Sequence, residues 1–297
     1  MAWRAFHNAT PGKVLAGRSP LRGGAALARG LVRLGEGLAY SSGLAALVGG
    51  AMTAAVGRAF ASPTLLRDAA LVACGAFVIY GVDRLRDVAH DRPSSPGRTA
   101  FVLRRRRALK AATGLAALAL FVLLAATPAA SVTLCLGLGA IGLLHRRMKR
   151  DVRFKIAYVA AAWTAACVGI PWLAGLDATS GVGGTPGGAG DGADVSIAWA
   201  VLFVGSAVTA NLIASNLRDG KRGATGWSSG SALFVARGIA GAGLALAALA
   251  PERLGPLAWI PAAELASLCF FRSSEQFGLL AVDGALLLGA LVAICAR

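Results

Sequence analysis

Acidic residues are scarce in this chain: 14 Asp and Glu stand against 30 Lys and Arg in 297 residues, and only 15% of positions are charged. So little charge excludes a disordered polyelectrolyte. Cysteine is sparse as well. Cys74, Cys135, Cys167, Cys269 and Cys295 lie in or beside apolar segments with no CxxC or Cys/His spacing, which excludes a disulfide framework and a zinc site. The net charge of +16 invites a nucleic-acid reading, but the basic residues gather between hydrophobic runs and form no stripe with interleaved aromatics. No nucleic-acid partner is expected. What the chain has in quantity is apolar residues, 56% of the total, in separate runs that a soluble core of this size would not hide. The expected class is an all-α integral membrane protein.

A bilayer crossing needs about 20 apolar residues. Runs of that kind fall near 36–57, 64–82, 109–127, 130–145, 155–176, 196–215, 230–250, 256–271 and 276–296, which makes nine expected transmembrane helices. Residues 1–35 precede them as a basic N-terminal segment with Arg4, Lys13, Arg18, Arg22, Arg29 and Arg33, and 36–297 form the membrane domain. That charged stretch is longer than the charged region of a signal peptide, so no cleavage is expected, and Ala59-Phe60-Ala61 reads as a chance match. The loops alternate in charge. Arg84, Arg86, Arg92, Arg98, Arg104 to Arg107 and Lys110 fill one; Arg146, Arg147, Lys149, Arg150, Arg153 and Lys155 fill the next on that side; Arg218, Lys221 and Arg222 fill the third. On the other side, 128–130 and 177–195 have no Lys or Arg, and 251–255 has only Arg253. The positive-inside rule makes the basic loops and the N-terminus cytoplasmic, in a cell inner membrane, with membrane lipids as neighbours. The Gly-rich stretch 178–192 lacks the Gly-Lys-Ser/Thr of a phosphate loop and reads as an external linker.

The strongest chemical signal is Asp83-Arg84-Leu85-Arg86-Asp87-Val88-Ala89-His90-Asp91-Arg92. On a helix, Asp83, Asp87 and Asp91 stack on one face, where like charges repel unless cations intervene. Mg²⁺ favours carboxylate oxygens and shares its coordination with substrate phosphates, so the spacing fits a metal–diphosphate site. The competing reading is an interfacial ladder neutralised by Arg84, Arg86 and Arg92. A second string, Asn211-Leu212-Ile213-Ala214-Ser215-Asn216-Leu217-Arg218-Asp219, ends the sixth run, and both strings contain Leu-Arg-Asp. They read as a duplicated helix–loop unit with both polar ends on one membrane side.

With these two strings the sequence resembles the UbiA family of intramembrane prenyltransferases, which have nine membrane helices around a central cavity and two Asp-rich cytoplasmic motifs. The family pattern Asn-x-x-x-Asp-x-x-x-Asp aligns with Ile79, Asp83 and Asp87, continuing to Asp91-Arg92 and the basic position Arg98. A Tyr-x-x-x-Lys pattern aligns with His145-Arg146-Arg147-Met148-Lys149, and the second Asp motif aligns at Asp219, with Asn216 before it and Gly223 at its later position. The resemblance implies Mg-dependent transfer of a prenyl group from a polyprenyl diphosphate to an aromatic or other lipophilic acceptor. It implies Asp83, Asp87, Asp91, Asn216 and Asp219 as metal ligands, and Arg92, Arg98, Lys149 and Lys155 as diphosphate contacts.

Two other classes compete. Ile79 and Gly223 stand where the family has ligands, which favours a noncatalytic isoprenoid-lipid-binding or scaffold protein, and duplicated helices with intramembrane charges also occur in transporters. Outside these motifs, Arg237, Glu264 and Asp283 fall inside the last three runs at similar depth, so Arg237 is expected to pair with Glu264 or Asp283. The topology makes a direct prediction. In a variant lacking the five cysteines, single cysteines placed in 83–108, 145–155 and 217–229 will label from the cytoplasmic side, and those in 177–195 from the other. Labelling of 177–195 and 145–155 from one side would overturn it.

Overall fold

In a computed structural model, the described residues are 30, 34–88, 92, 95–148, 152–180, 190–218, 228–274 and 277–296. They are helical, with no strand among them. The chain divides into two units, Met1–Leu34 and Gly35–Arg297, and the helices named next all belong to the second. These are α1 (Gly43–Ala59), α2 (Leu65–Arg86), α3 (Pro96–Arg104), α4 (Arg106–Ala125), α5 (Ala129–Met148), α6 (Val152–Thr164), α7 (Ile170–Ser180), α8 (Gly190–Arg218), α9 (Ser229–Ala245), α10 (Trp259–Cys269) and α11 (Asp283–Cys295).

Six helical stretches are long and apolar enough to cross a membrane: Leu65–Arg86, Arg106–Ala125, Arg153–Leu176, Val195–Leu217, Ser229–Leu249 and Gly278–Cys295. A seventh arises if Leu34–Tyr40 and α1, bent by 84° through the left-handed Ser42, form one span. The protein is therefore a multi-pass membrane protein. Two of the nine expected runs are helical but short. Ala129–Leu144 is one. The other, 256–271, starts as a 3₁₀ segment, Glu252–Ala258, and becomes α-helical only as α10. Pro251, Pro256 and Pro261 crowd this stretch, and each lacks the N–H that a regular α-helix uses. Proline also explains the break between α6 and α7. The π-helical turn Ala165–Gly169 relieves the clash between the Pro171 ring and the carbonyl one turn earlier.

Packed neighbours run in the order α4, α2, α1, α11, α10, α9, α8, α6, with α5 lying against both α2 and α6. Small residues set the spacing. Ala232, Ala236 and Ala240 form a buried stripe on α9, and a Cβ on Gly243 of that helix would meet Ser206 Oγ of α8 at 2.1 Å. At Gly289 of α11, a Cβ would lie 2.6 Å from the Trp259 carbonyl oxygen and 2.7 Å from Ile260 Cα, so two backbones touch there. Without a hydrophobic drive between helices in lipid, such contacts carry the association. The outer face of α4 is greasy: Leu115, Leu118, Phe121 and Val122 are all exposed. A water-soluble surface would not present so large a patch.

Gly289→Ala is expected to lower stability by about 1–3 kcal/mol, the usual cost of overpacking, because the obstacle is backbone. Gly238→Ala, which meets nothing within 4 Å, will leave it unchanged or slightly raised. Thermal unfolding of the detergent-solubilised protein compares the two.

Candidate functional site

Between α2, α4, α5 and α6 lies a cavity of about 480 Å³, inside the roughly 300–1,000 Å³ usual for small-molecule sites. Its wall is aliphatic over most of its length, with Leu71, Ile79, Leu120, Leu124, Leu138 and Val159 among the lining residues. Polar groups come from Tyr80 and Asp83 of α2 and from Tyr158 and Trp163 of α6. The Trp163 indole N–H donates to the Tyr80 hydroxyl at 2.9 Å, fixing α2 to α6 across the cavity. Asp83 is half-buried and lies one turn from the end of α2. Asp87 follows as the residue that caps the helix C-terminus: its backbone N–H bonds the Asp83 carbonyl at 2.9 Å, and it is buried.

The second string reaches the same end of the bundle through α6. Lys155 stands one turn before the cavity-lining Tyr158 on α6. Its ammonium donates to Asn216 Oδ1 at 3.3 Å, while Asn216 Nδ2 donates to the Leu212 carbonyl at 2.7 Å. The amide is thus oriented by its own helix, leaving its oxygen toward the cation. Two of the expected site residues, Lys155 and Asn216, are brought into contact, and α6 connects them to the Asp83 end. Arg98 is half-buried on α3, whose Pro96 occupies the first helical turn, and Arg92 is exposed. Asp91, Lys149 and Asp219 lie outside the described residues.

The far end is tied separately. Arg67 bonds Asp68 at 3.1 Å and the Ala126 carbonyl at 3.0 Å, which joins the start of α2 to the end of α4. Asp68, fully buried, also accepts from Thr64 at 2.8 Å and Ser62 at 3.2 Å. Arg253 bonds Ser196 near the start of α8. The two ends of the bundle therefore differ: Asp83 lines the cavity and Lys155 bonds Asn216 at one, and the Arg67–Asp68 network occupies the other.

One expectation fails. Arg237 does not pair with Glu264 or Asp283; its guanidinium donates to the Leu268 carbonyl at 2.9 and 3.1 Å and to the Cys269 carbonyl. Those carbonyls end α10, where the helix leaves its last acceptors unused and its dipole is negative, so a long cationic side chain is drawn there. Tyr80 and Tyr158 line the cavity although no motif marks them, and Trp163, expected from sequence as a helix-packing aromatic, lines it too. Their signal was positional: Tyr80 lies one turn before Asp83, and Tyr158 one turn after Lys155.

Among the described residues no group of three or more His, Cys, Asp or Glu side chains is placed to hold a metal. No family model, curated protein or solved structure matches this chain.

The Trp163–Tyr80 bond gives a test of the cavity wall. Tyr80→Phe and Trp163→Phe should each destabilise the protein, and the double variant should show a coupling of about 0.5–1.5 kcal/mol in a thermal-unfolding cycle. Strict additivity would mean that the bond does not form.

Proposed function

We propose that this chain is a UbiA-like intramembrane prenyltransferase of the cell inner membrane, with nine crossings and with its N-terminus and Asp83 end cytoplasmic. It moves a prenyl group from a polyprenyl diphosphate to an aromatic or other lipophilic acceptor. The observation that carries the reading is the apolar cavity with a carboxylate at one end. A polyprenyl diphosphate is a slender, methyl-bearing hydrocarbon chain ending in a concentrated negative charge, and it needs a greasy slot that terminates in charge-binding groups. Mg²⁺ uses one or two protein carboxylates and completes its shell with water and phosphate oxygens, which suits Asp83 with Asp87 one turn beyond it, and Asp91 and Asp219 by motif. When bound, the metal would supply positive charge to the leaving diphosphate.

The residues of the chain divide the remaining work. Lys155, held by Asn216 one turn before the cavity-lining Tyr158, offers an ammonium to the diphosphate, with Arg92, Arg98 and Lys149 as further diphosphate contacts by motif. The aliphatic wall keeps water from an allylic carbon as it gains cationic character, and the faces of Tyr80, Tyr158 and Trp163 present electron density toward such a centre.

A noncatalytic isoprenoid-binding protein is the second reading, and one observation favours it. Ile79 occupies the position of the family's first Asn, and its side chain packs where a Cβ on Gly142 would sit, 2.9 Å away, so this residue is wall and not ligand.

Asp83→Asn and Asp87→Asn are each expected to weaken Mg-dependent binding of a polyprenyl diphosphate by about tenfold or more, since the amide keeps the shape but loses the anion. Glu252→Gln, an exposed acid beside the Arg253 end, will not change it. Equal affinity and equal Mg²⁺ dependence in all three would reject the site. Donor binding without diphosphate release in the presence of lipophilic acceptors would select the noncatalytic reading.

A further inference from the structure

Five cations crowd the junction where α3 meets α4 and have no role in the proposed transfer: Arg104, Arg105, Arg106, Arg107 and Lys110, all within seven residues. Arg105 is the one residue between the two helices, ending α3 and opening α4. All five residues are exposed, while Val102 before them and Leu109 among them are buried. The junction is thus anchored to the bundle by its apolar side and presents its basic side outward.

Neither helix contains an acidic residue, and Arg104, Arg106, Arg107 and Lys110 bond no carboxylate among the described residues. Arg105 is held over the Phe101 ring at 5.3 Å, a contact that fixes the guanidinium without neutralising it. Arg106 and Lys110 are four residues apart on α4, a spacing at which like charges repel. Arg106 and Arg107 also occupy the first turn of α4, which has neither a side-chain cap nor an acid, and there the helix dipole itself disfavours a cation. An anion from outside the chain relieves all of these repulsions at once.

The position of the junction says which anion. α4 is the least buried of the six spans, and its 20 residues rise about 30 Å, the thickness of the hydrocarbon core. With Leu115, Leu118 and Phe121 exposed further along, the first turn falls at the level of the lipid phosphates. Leu103 is exposed beside the cations, as suits a segment with apolar side chains turned to the acyl boundary and guanidinium groups among headgroups. We propose that the α3–α4 junction is a binding surface for anionic phospholipid headgroups, whose phosphates are engaged by Arg104, Arg106, Arg107 and Lys110. Guanidinium groups match phosphate oxygens two at a time, and basic clusters next to a span draw anionic lipid.

The test uses the full chain in mild detergent and compares binding of a fluorescent phosphatidylglycerol with that of the matching phosphatidylcholine. The phosphatidylglycerol is expected to bind about tenfold or more tightly, a preference that weakens as NaCl is raised. Arg104→Gln, Arg106→Gln, Arg107→Gln and Lys110→Gln combined should abolish the preference, and changing the same three arginines to lysine should keep most of it. Arg58→Gln, which removes an exposed cation at the end of α1, should leave it intact. Equal affinity for both lipids in the wild type, or a preference that survives the combined variant, overturns the proposal. Displacement of the phosphatidylglycerol by inorganic phosphate at equal ionic strength makes the surface a site for free anions and also overturns it. Should the combined variant fail to fold, a photoreactive phosphatidylglycerol on the wild type decides. Adducts concentrated between Phe101 and Lys110, and not given by the phosphatidylcholine analogue, support the surface; adducts elsewhere, or the same from both lipids, reject it. No prenyl donor enters these measurements, so the result is independent of the proposed transferase activity.

Discussion

Inside a bilayer every charged or polar group has to be met within the protein, and most of this structure follows from that constraint. Arg67 and Asp68 satisfy each other and stitch two turns together at one end. Arg237 spends its donors on the last carbonyls of α10, Arg84 reaches the Ala39 carbonyl, and Lys155 meets Asn216. Most of these contacts join separate helices, so the polar groups act as the fasteners of a bundle whose apolar surfaces gain little from one another in lipid. Glu264, fully buried with neither carboxylate oxygen in a regular hydrogen bond, departs from the pattern.

The same bundle is tight on one side and open on the other. Along α8 to α11 the contacts are made by Ala and Gly, with Gly243 and Gly289 allowing near backbone contact. Among α2, α4, α5 and α6 the helices also touch at Gly81 and Gly142, and the space left between those contacts, lined by aliphatic residues, is the cavity that includes Asp83. The basic helix α3 covers part of the charged end: Arg105 stacks over Phe101 at 5.3 Å, and Phe101 meets Tyr40 at 5.7 Å.

The helical membrane class was legible because repeated runs of about 20 apolar residues match the thickness of a bilayer and exceed what a soluble core of this size can bury. Helix number was less so. Prolines 251, 256 and 261 turn one apolar run into a 3₁₀ lead-in and a short helix, and hydropathy does not distinguish that from a full crossing. Lys155 and Asn216 are each expected on the basic side of the membrane, but no residue pattern specifies the contact between them. Arg237 was misread because depth alone does not choose its partner. Helix C-termini are acceptors that appear in no residue pattern, and they outcompeted two carboxylates. The cavity aromatics went unread for a related reason: Tyr80 and Trp163 are far apart in sequence, and only the packing of α2 on α6 gives their bond meaning.

The central claim is that the slot between α2 and α6 receives the isoprenyl chain of a diphosphate held at the Asp83 end. A photoreactive polyprenyl diphosphate, cross-linked in membranes with and without Mg²⁺ and mapped by mass spectrometry, addresses it directly. The account predicts Mg-dependent adducts on cavity residues such as Ile79, Leu138 and Val159, displaced by unlabelled donor. Adducts confined to the outer faces of α4 and α5, or to α9 and α10, and indifferent to Mg²⁺ and competitor, would contradict it.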